Sequence, residues 1–141
     1  MLSGSVQWDG EMVMVGETGS GHRVMMDAGP DERGSGASPK ELTLLSLGGC
    51  TGVDVVSILQ KMQVPFQSIR VDLEADSTDE NPKVFREIRM IYKVEGEGVR
   101  REQVERAIQL SQDRYCGVSA MLNKTAHIVV ACEINGERKP L

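Results

Sequence analysis

Positive charge is scarce in this sequence, and aromatic residues are few. The 141 residues include 16 Lys and Arg against 21 Asp and Glu, which gives a net charge of -5, and aromatic side chains make up 4% of the chain. Because a protein that binds nucleic acid needs a basic surface for the phosphates, nucleic acid is not expected as a partner. The length is close to that of one domain, so we predict a single domain over residues 1–141.

A long apolar run and a basic, apolar N-terminal segment are also missing. The longest apolar stretch, residues 42–47, is interrupted by a serine and followed by two glycines, whereas a membrane span needs about 20 apolar residues. The N-terminus has no secretory-signal pattern. We therefore expect a cytoplasmic protein with no membrane partner, in which the 3 cysteines do not form permanent structural disulfides.

Signatures of metal, nucleotide and hydrolase sites are absent as well. The only histidines, His22 and His127, lie on separate predicted strands, and no Cys-x-x-Cys pair occurs. The glycines of residues 16–21 join two strands and do not match a phosphate-binding loop. No Gly-x-Ser-x-Gly elbow is present. We expect neither a metal ion nor a cofactor.

The N-terminal region has the pattern of three short antiparallel strands. Val6 and Trp8 precede an Asp-Gly pair, which favours a two-residue turn, and apolar residues follow at 12–15. A Thr-Gly-Ser-Gly turn at 18–21 precedes a third strand at 22–28. These patterns predict a small meander.

A helix is predicted to begin at Ser38. A serine followed by proline at the first helical position and by Glu41 three residues later is the pattern of a capping box. Apolar residues then surround most of the helix, so we expect protein to enclose it almost completely. Gly48, Gly49 and Gly52 interrupt it, either for close helix packing or to leave space around Cys50.

Alternating residues predict two further strands after this helix. Apolar positions alternate with charged ones in residues 69–75 and again in 84–94, with a polar turn between them. A second helix is predicted at 99–111, a short turn at 120–122 and a final strand at 126–134. The order of three strands, helix, two strands, helix and strand predicts an α+β fold.

The three cysteines have different sequence surroundings. Cys132 lies on an apolar strand face and is predicted to fill the core. Cys116 lies at a junction before a possible short helix, where backbone N–H groups could lower the pKa of a reachable thiol. Cys50 is far from the helix N-terminus, and Asp54 four residues later would raise the pKa of its thiol unless that carboxylate is paired or turned away.

Three segments together resemble the OsmC/Ohr superfamily, over nearly the whole chain. They are Ser-Pro-Lys-Glu-Leu at 38–42, Leu-Gly-Gly-Cys-Thr at 47–51 and Tyr-Cys-Gly-Val-Ser at 115–119. Gly117, where many members have proline, and the glycines around Cys50 make the chain similar to the YhfA-like branch. The resemblance implies an OsmC-like fold, with antiparallel sheets, a long central cysteine-bearing helix and a second helix, in an intertwined homodimer.

The resemblance also implies a thiol-dependent peroxidase that reduces organic hydroperoxides and, as a further expectation, hydrogen peroxide. Cys50 matches the peroxidatic cysteine, and Cys116 matches the cysteine that resolves its sulfenic acid before an external dithiol reduces the disulfide. Arg33, with Arg23 as the alternative, matches the arginine that supports the thiolate. Glu41 is a candidate for the accompanying glutamate, although the capping box is a competing explanation.

Two other classes of function stay open at this point. One is a stress-linked protein that binds small molecules on the same fold without catalysis. The other is a thiol redox sensor, in which oxidation of Cys50 and Cys116 changes the packing of the dimer or a contact with a partner.

Overall fold

The structure, a computed structural model, describes residues 1–30 and 34–141. The chain divides into two compact units, Met1–Thr43 and Leu44–Leu141, with the boundary inside the first helix. The expected single domain over 1–141 stays a prediction.

The first unit contains the predicted three-stranded meander. Strands β1 (Gly4–Trp8), β2 (Val13–Thr18) and β3 (Arg23–Asp27) pair antiparallel in the order β1-β2-β3. The turn after Thr18 is confirmed, but the two-residue Asp-Gly turn is wrong. Four residues connect β1 and β2, and both Gly10 and Glu11 have positive φ angles. The connection is therefore a four-residue loop, with Gly10 and Glu11 as the residues of unusual backbone conformation.

The capping box predicted for the first helix is present in full. The Glu41 N–H donates to Ser38 Oγ at 3.1 Å, and the Ser38 N–H donates to the Glu41 carboxylate at 2.8 Å. These two bonds satisfy backbone donors that a helix N-terminus leaves open. Helix α1 therefore begins at Pro39 and runs as Pro39–Lys61.

A four-stranded sheet forms the frame of the second unit. Its strands are β4 (Ser68–Ser77), β5 (Phe85–Glu95), β6 (His127–Ile134) and β7 (Glu137–Pro140), in the order β4-β5-β6-β7. Strands β4 and β5 form the predicted hairpin, and β5 and β6 pair in parallel. The sequence analysis missed β7. It pairs with β6 through an Asn-Gly turn, but its polar sequence lacks the alternation that marks a half-buried strand.

Helices fill the crossover between the parallel strands β5 and β6. Helix α2 (Arg101–Leu110) matches the second predicted helix, a π-helical segment (Ser111–Tyr115) continues it, and α3 (Gly117–Leu122) follows. A crossover of this kind is needed because parallel neighbours cannot be joined by a tight turn. The α+β class is confirmed, and α3 replaces the short turn that was predicted at 120–122.

Within one chain, burial of α1 is one-sided, and its complete enclosure by protein stays a prediction. Leu47, Val55 and Leu59 are fully buried in the core of the second unit, whereas Leu45 is 59% and Val53 70% exposed. By length and composition α1 could also cross a membrane, contrary to the prediction from the sequence. A buried core helix of a globular fold meets the same two criteria, so they are weak evidence for a membrane span.

Candidate functional site

Helix α1 and the segment before α3 bring two cysteines together. Cys50 lies on α1 and is half-buried at the edge of the core, and its thiol is close enough to Cys116 to contribute to the raised pKa of the Cys116 thiol. All cysteines are present as free thiols. The arrangement has the two groups needed for reversible formation of a disulfide, one of them accessible from outside.

Cys116 is less reachable than its sequence suggested. Its side chain caps α3, and the Ser119 N–H donates to Cys116 Sγ at 3.3 Å. The residue is only 3% exposed. Burial raises the pKa of the Cys116 thiol to about 11, the Ser119 N–H opposes that shift, and the neighbouring Cys50 adds to it. The expected lowering of its pKa is therefore wrong, because loss of water outweighs one backbone donor.

A buried hydrogen-bonded cluster joins the two cysteine-bearing segments and is centred on Thr51. The Thr51 hydroxyl is 2.6 Å from the Tyr92 hydroxyl and 2.8 Å from that of Ser111. Gln112 Nε2 donates to the Tyr92 hydroxyl at 2.7 Å, and Ser111 Oγ donates to Asp54 Oδ2 at 2.9 Å. Asp54 is therefore paired with Ser111, although its charge still contributes a minor part of the raised pKa of Cys116.

The same cluster reaches Cys116 through Ser119. Ser119 Oγ donates to Gln112 Oε1, while the Ser119 backbone N–H donates to the Cys116 sulfur. We refer to these side chains together as the Thr51 network; its members are Thr51, Asp54, Tyr92, Ser111, Gln112 and Ser119. Burial raises the pKa of Tyr92 to about 12, so this hydroxyl stays protonated and can donate.

Sequence reasoning missed the Thr51 network, although two signals were available. Thr51 and Ser111 are polar residues among apolar helical neighbours, and Tyr92 shares its strand face with the core residues Ile88 and Met90. A buried hydroxyl needs a hydrogen-bond partner. The pattern could therefore have indicated that these groups meet partners, but not which ones.

The other predicted site residues belong to the first unit or lie outside the described residues, so their catalytic roles stay predictions. Arg33 lies outside the described residues, and the alternative Arg23 is exposed on β3, opposite Glu17. Glu41 is exposed and makes the capping box, and hydrogen bonds from Ser38 hold the pKa of its carboxyl below the usual value. The structure thus gives Glu41 a capping role, and its catalytic role stays a prediction.

Cys132 is the third cysteine and lies in the core, as predicted. It is fully buried on β6, and burial raises the pKa of its thiol to about 11. Arg101 donates to its backbone carbonyl at 3.1 Å. Cys116 and Cys132 thus share a raised pKa, and only Cys116 has a second thiol beside it among the described residues.

Two clefts in the second unit lie near this site. An apolar groove of about 530 Å³ runs between α1 and β4, and its lining includes Gly49, Gly52 and Val53. A second cleft of about 570 Å³ is lined in part by Asp54, Lys61 and Tyr115. Within residues 1–30 and 34–141, no group of three or more His, Cys, Asp or Glu side chains could hold a metal ion.

The glycines of α1 serve both purposes considered from the sequence. A Cβ atom at Gly48 would lie 2.7 Å from Leu73 Cδ1, so Gly48 allows α1 to pack closely on β4. A Cβ atom at Gly49 would meet nothing within 4 Å, and Gly49 lines the apolar groove. Close packing and open space therefore occur at adjacent residues.

Comparisons with known proteins identify the family and the fold. The family model of the OsmC-like protein matches residues 30–131. Protein YhfA of Escherichia coli (strain K12) is 34% identical over 94% of this chain and 98% of its own length. A hypothetical protein from Aquifex aeolicus VF5 is 27% identical with a TM-score of 0.86, covering 96% of each chain.

A more distant structure shares the fold alone. The organic hydroperoxide resistance protein OhrB of Bacillus subtilis is 9% identical, with a TM-score of 0.69 over 94% of this chain and 98% of its own. The extent of the family match and the identity to YhfA are decisive. The chain belongs to the family of OsmC-like proteins.

Proposed function

We propose that this protein is a thiol-dependent peroxidase that reduces organic hydroperoxides, with Cys50 as the peroxidatic and Cys116 as the resolving cysteine. The observation that carries the proposal is the pairing of a half-exposed thiol with a buried one. An accessible thiol can meet a peroxide. A neighbouring buried thiol is protected from the same oxidant and is available for the next step.

The proposed reaction has three balanced steps. The Cys50 sulfur attacks one peroxide oxygen, the O–O bond breaks, and a sulfenic acid and an alcohol form. The Cys116 thiol then attacks the Cys50 sulfur, a disulfide forms, and the displaced hydroxyl leaves as water with the thiol proton. An external dithiol finally reduces the disulfide and is itself oxidised to a disulfide.

The order of these two roles follows from burial. Because the pKa of Cys116 is raised to about 11, Cys116 is a protonated thiol at neutral pH and a poor first nucleophile. It becomes effective only against an adjacent sulfenic acid, where proximity replaces a high concentration of attacking thiolate. This supports Cys50 rather than Cys116 as the residue that meets the peroxide.

The substrate class rests on relatives and on the groove. Structures that share the fold include organic hydroperoxide resistance proteins from Legionella pneumophila and Elizabethkingia anophelis. The lining of the apolar groove is mainly apolar and includes Gly49, which precedes Cys50 in the chain. Such a lining favours a hydroperoxide with an apolar organic group over hydrogen peroxide.

The working form in this proposal is a cytoplasmic homodimer. The outer face of α1, with Leu45 and Val53 exposed, is an apolar surface of a kind that commonly marks a protein interface. A second copy of the chain on this face would close the apolar groove. In that assembly Arg33 is our first choice, and Arg23 the second, for the group that supports the Cys50 thiolate, with Glu41 as its proposed companion.

A single-turnover experiment tests the proposed chemistry. Reduced wild type, Cys50→Ser and Cys116→Ser are mixed with cumene hydroperoxide or hydrogen peroxide and analysed by mass spectrometry. We expect a Cys50–Cys116 disulfide in wild type, a Cys50 sulfenic acid in Cys116→Ser, and no peroxide loss with Cys50→Ser. Persistence of peroxide with reduced Cys50 in wild type contradicts the proposal and favours the binding protein.

The redox-sensor alternative gives a different pattern in the same samples. A sensor forms the disulfide but is rereduced slowly by every dithiol tested, so peroxide consumption stops near one equivalent. A peroxidase continues through many turnovers when a suitable dithiol is present. Multiple turnovers with thioredoxin-type or lipoyl-type dithiols therefore support the enzyme.

A further inference from the structure

The Thr51 network connects residues that are far apart in the chain and adjacent to the two cysteines. Thr51 follows Cys50 directly on α1, whereas Ser111 and Gln112 belong to the π-helical segment that leads to Cys116. Thr51 and Ser111 are 60 residues apart in sequence. The network is therefore a direct link between the two segments that carry the thiols.

The directions of these hydrogen bonds follow from the donor count of each group. Ser111 gives its single hydroxyl hydrogen to Asp54, so Thr51 must donate to Ser111. Tyr92 must then donate to Thr51, while it accepts from Gln112. With Ser119 donating to Gln112, every bond runs toward the Asp54 carboxylate.

This single direction has an energetic consequence. The hydroxyls of Thr51, Tyr92 and Ser111 each donate one hydrogen bond and accept another, so removal of one of them leaves a buried neighbour unsatisfied. Among the described residues, no buried side-chain N or O atom lacks a partner. Thr51, Ser111 and Ser119 are also almost fully buried, so water cannot readily replace a lost partner. The network accordingly has one well-defined arrangement.

The contact with Cys116 makes this arrangement relevant to the thiol. Ser119 is held through its hydroxyl by Gln112, and its backbone N–H points at Cys116 Sγ. Ser119, on helix α3, which follows Cys116 directly in the chain, is thus held through its hydroxyl and contacts the Cys116 sulfur through its backbone. A π-helical turn such as residues 111–115 is uncommon and occurs frequently at functional sites, and here it carries Ser111 and Gln112 into the network.

We propose that Thr51 and Gln112 are positioning residues that hold the Cys50 and Cys116 thiols in the geometry required for disulfide formation. They touch neither the peroxide nor the reacting sulfurs, and act through the orientation of the two backbone segments. The inference deepens the proposed peroxidase function, since resolution of the sulfenic acid needs that geometry. It does not depend on peroxide as the oxidant.

The test measures the effective concentration of the Cys50 and Cys116 thiols toward each other. The protein is equilibrated in glutathione redox buffers, and the disulfide is quantified by mass spectrometry. Thr51→Val keeps the shape of the side chain but removes its hydroxyl, and Gln112→Met removes the hydrogen bonds of the amide, including those with Tyr92 and Ser119. We expect each to lower the effective concentration about tenfold, because small displacements of reacting groups have large effects. Thr51→Ser keeps the hydroxyl and should stay within about twofold of wild type.

Ile88→Val is the matched control, because Ile88 is a fully buried core residue on the same strand as Tyr92 and is outside the network. It should lower stability without changing the effective concentration. The inference is overturned if the Thr51→Val and Gln112→Met values equal wild type, or if Ile88→Val lowers the value as much as they do. Should Thr51→Val fail to fold, half-buried Gln112 still provides the comparison.

The same variants separate this inference from the proposed function. Wild type that leaves cumene hydroperoxide unchanged, together with the expected differences in glutathione buffer, contradicts the peroxidase but supports the positioning network. Wild type that reduces cumene hydroperoxide, together with equal effective concentrations in all variants, supports the peroxidase but overturns the positioning network. Under the inference, peroxide-treated Thr51→Val also accumulates a Cys50 sulfenic acid, because only the second step is slowed.

Discussion

The inner and outer faces of α1 differ in their surroundings although both are rich in apolar residues. The inner face, Leu47, Gly48, Thr51, Val55 and Leu59, is buried, and the outer face, Leu45, Gly49 and Val53, is exposed. Cys50 is half-buried at the boundary between them. The comparison shows that apolar composition alone does not determine burial. It also shows that Cys50, the proposed peroxidatic residue, lies between the buried and the exposed face of the helix.

The position of Cys50 between the two faces of α1 suits its role in the proposed mechanism. A thiol on the inner face would be shielded, as Cys116 and Cys132 are, and its pKa would be raised by burial. A thiol on the outer face would have no adjacent resolving partner from the core. The boundary position gives Cys50 access to a peroxide on one side and to Cys116 on the other.

The largest expected effect is a difference in stability between the two faces. Leu47→Ala removes a fully buried side chain and should lower the free energy of unfolding by about 2–5 kcal/mol. Leu45→Ala, two residues away, should change it by less than about 1 kcal/mol in the monomer. Urea denaturation at low protein concentration measures both, and equal losses would contradict the one-sided burial of α1.

A second effect concerns self-association through the outer face. Val53→Asp introduces a charge at a 70% exposed position and should leave the monomer folded, while a homodimer should be weakened by about 2–5 kcal/mol because the charge would be buried without a partner. Sedimentation velocity over a range of concentrations measures this. Lys40→Asp, at another exposed position of α1, is a control, and an unchanged dimer in Val53→Asp would exclude this face as the interface.

The smallest expected effect separates two adjacent glycines. Gly49→Ala adds a methyl group in open space and should stabilise the helix by about 0.5–1 kcal/mol. Gly48→Ala brings the same gain in helix propensity, but its Cβ displaces Leu73, so we expect no gain or a loss of about 1 kcal/mol. The temperature of thermal unfolding should therefore rise in Gly49→Ala but not in Gly48→Ala, and equal stabilisation of both would refute close packing at Gly48.

Local patterns were sufficient for most of the secondary structure. The capping box at Ser38 marked the first residue of α1, and alternation in β4 and β5 marked two strands that form a hairpin. The short-range patterns did not predict three features of the structure. Strand β7 is exposed and polar, the β1–β2 loop has four residues instead of two, and the π-helical segment has no distinct local signature.

The sequence by itself determined most of the elements, the α+β class and the family motifs around Cys50 and Cys116, because caps, turns and alternation act between residues a few positions apart. Only the tertiary structure decided which face of α1 is buried, that β6 pairs in parallel with β5, and that Thr51 meets Tyr92 and Ser111 across separations of 41 and 60 residues. It also decided that the Cys116 thiol is buried and has a raised pKa. Contacts of this range depend on how whole elements pack, because each polar group buried by that packing must find its partner within it.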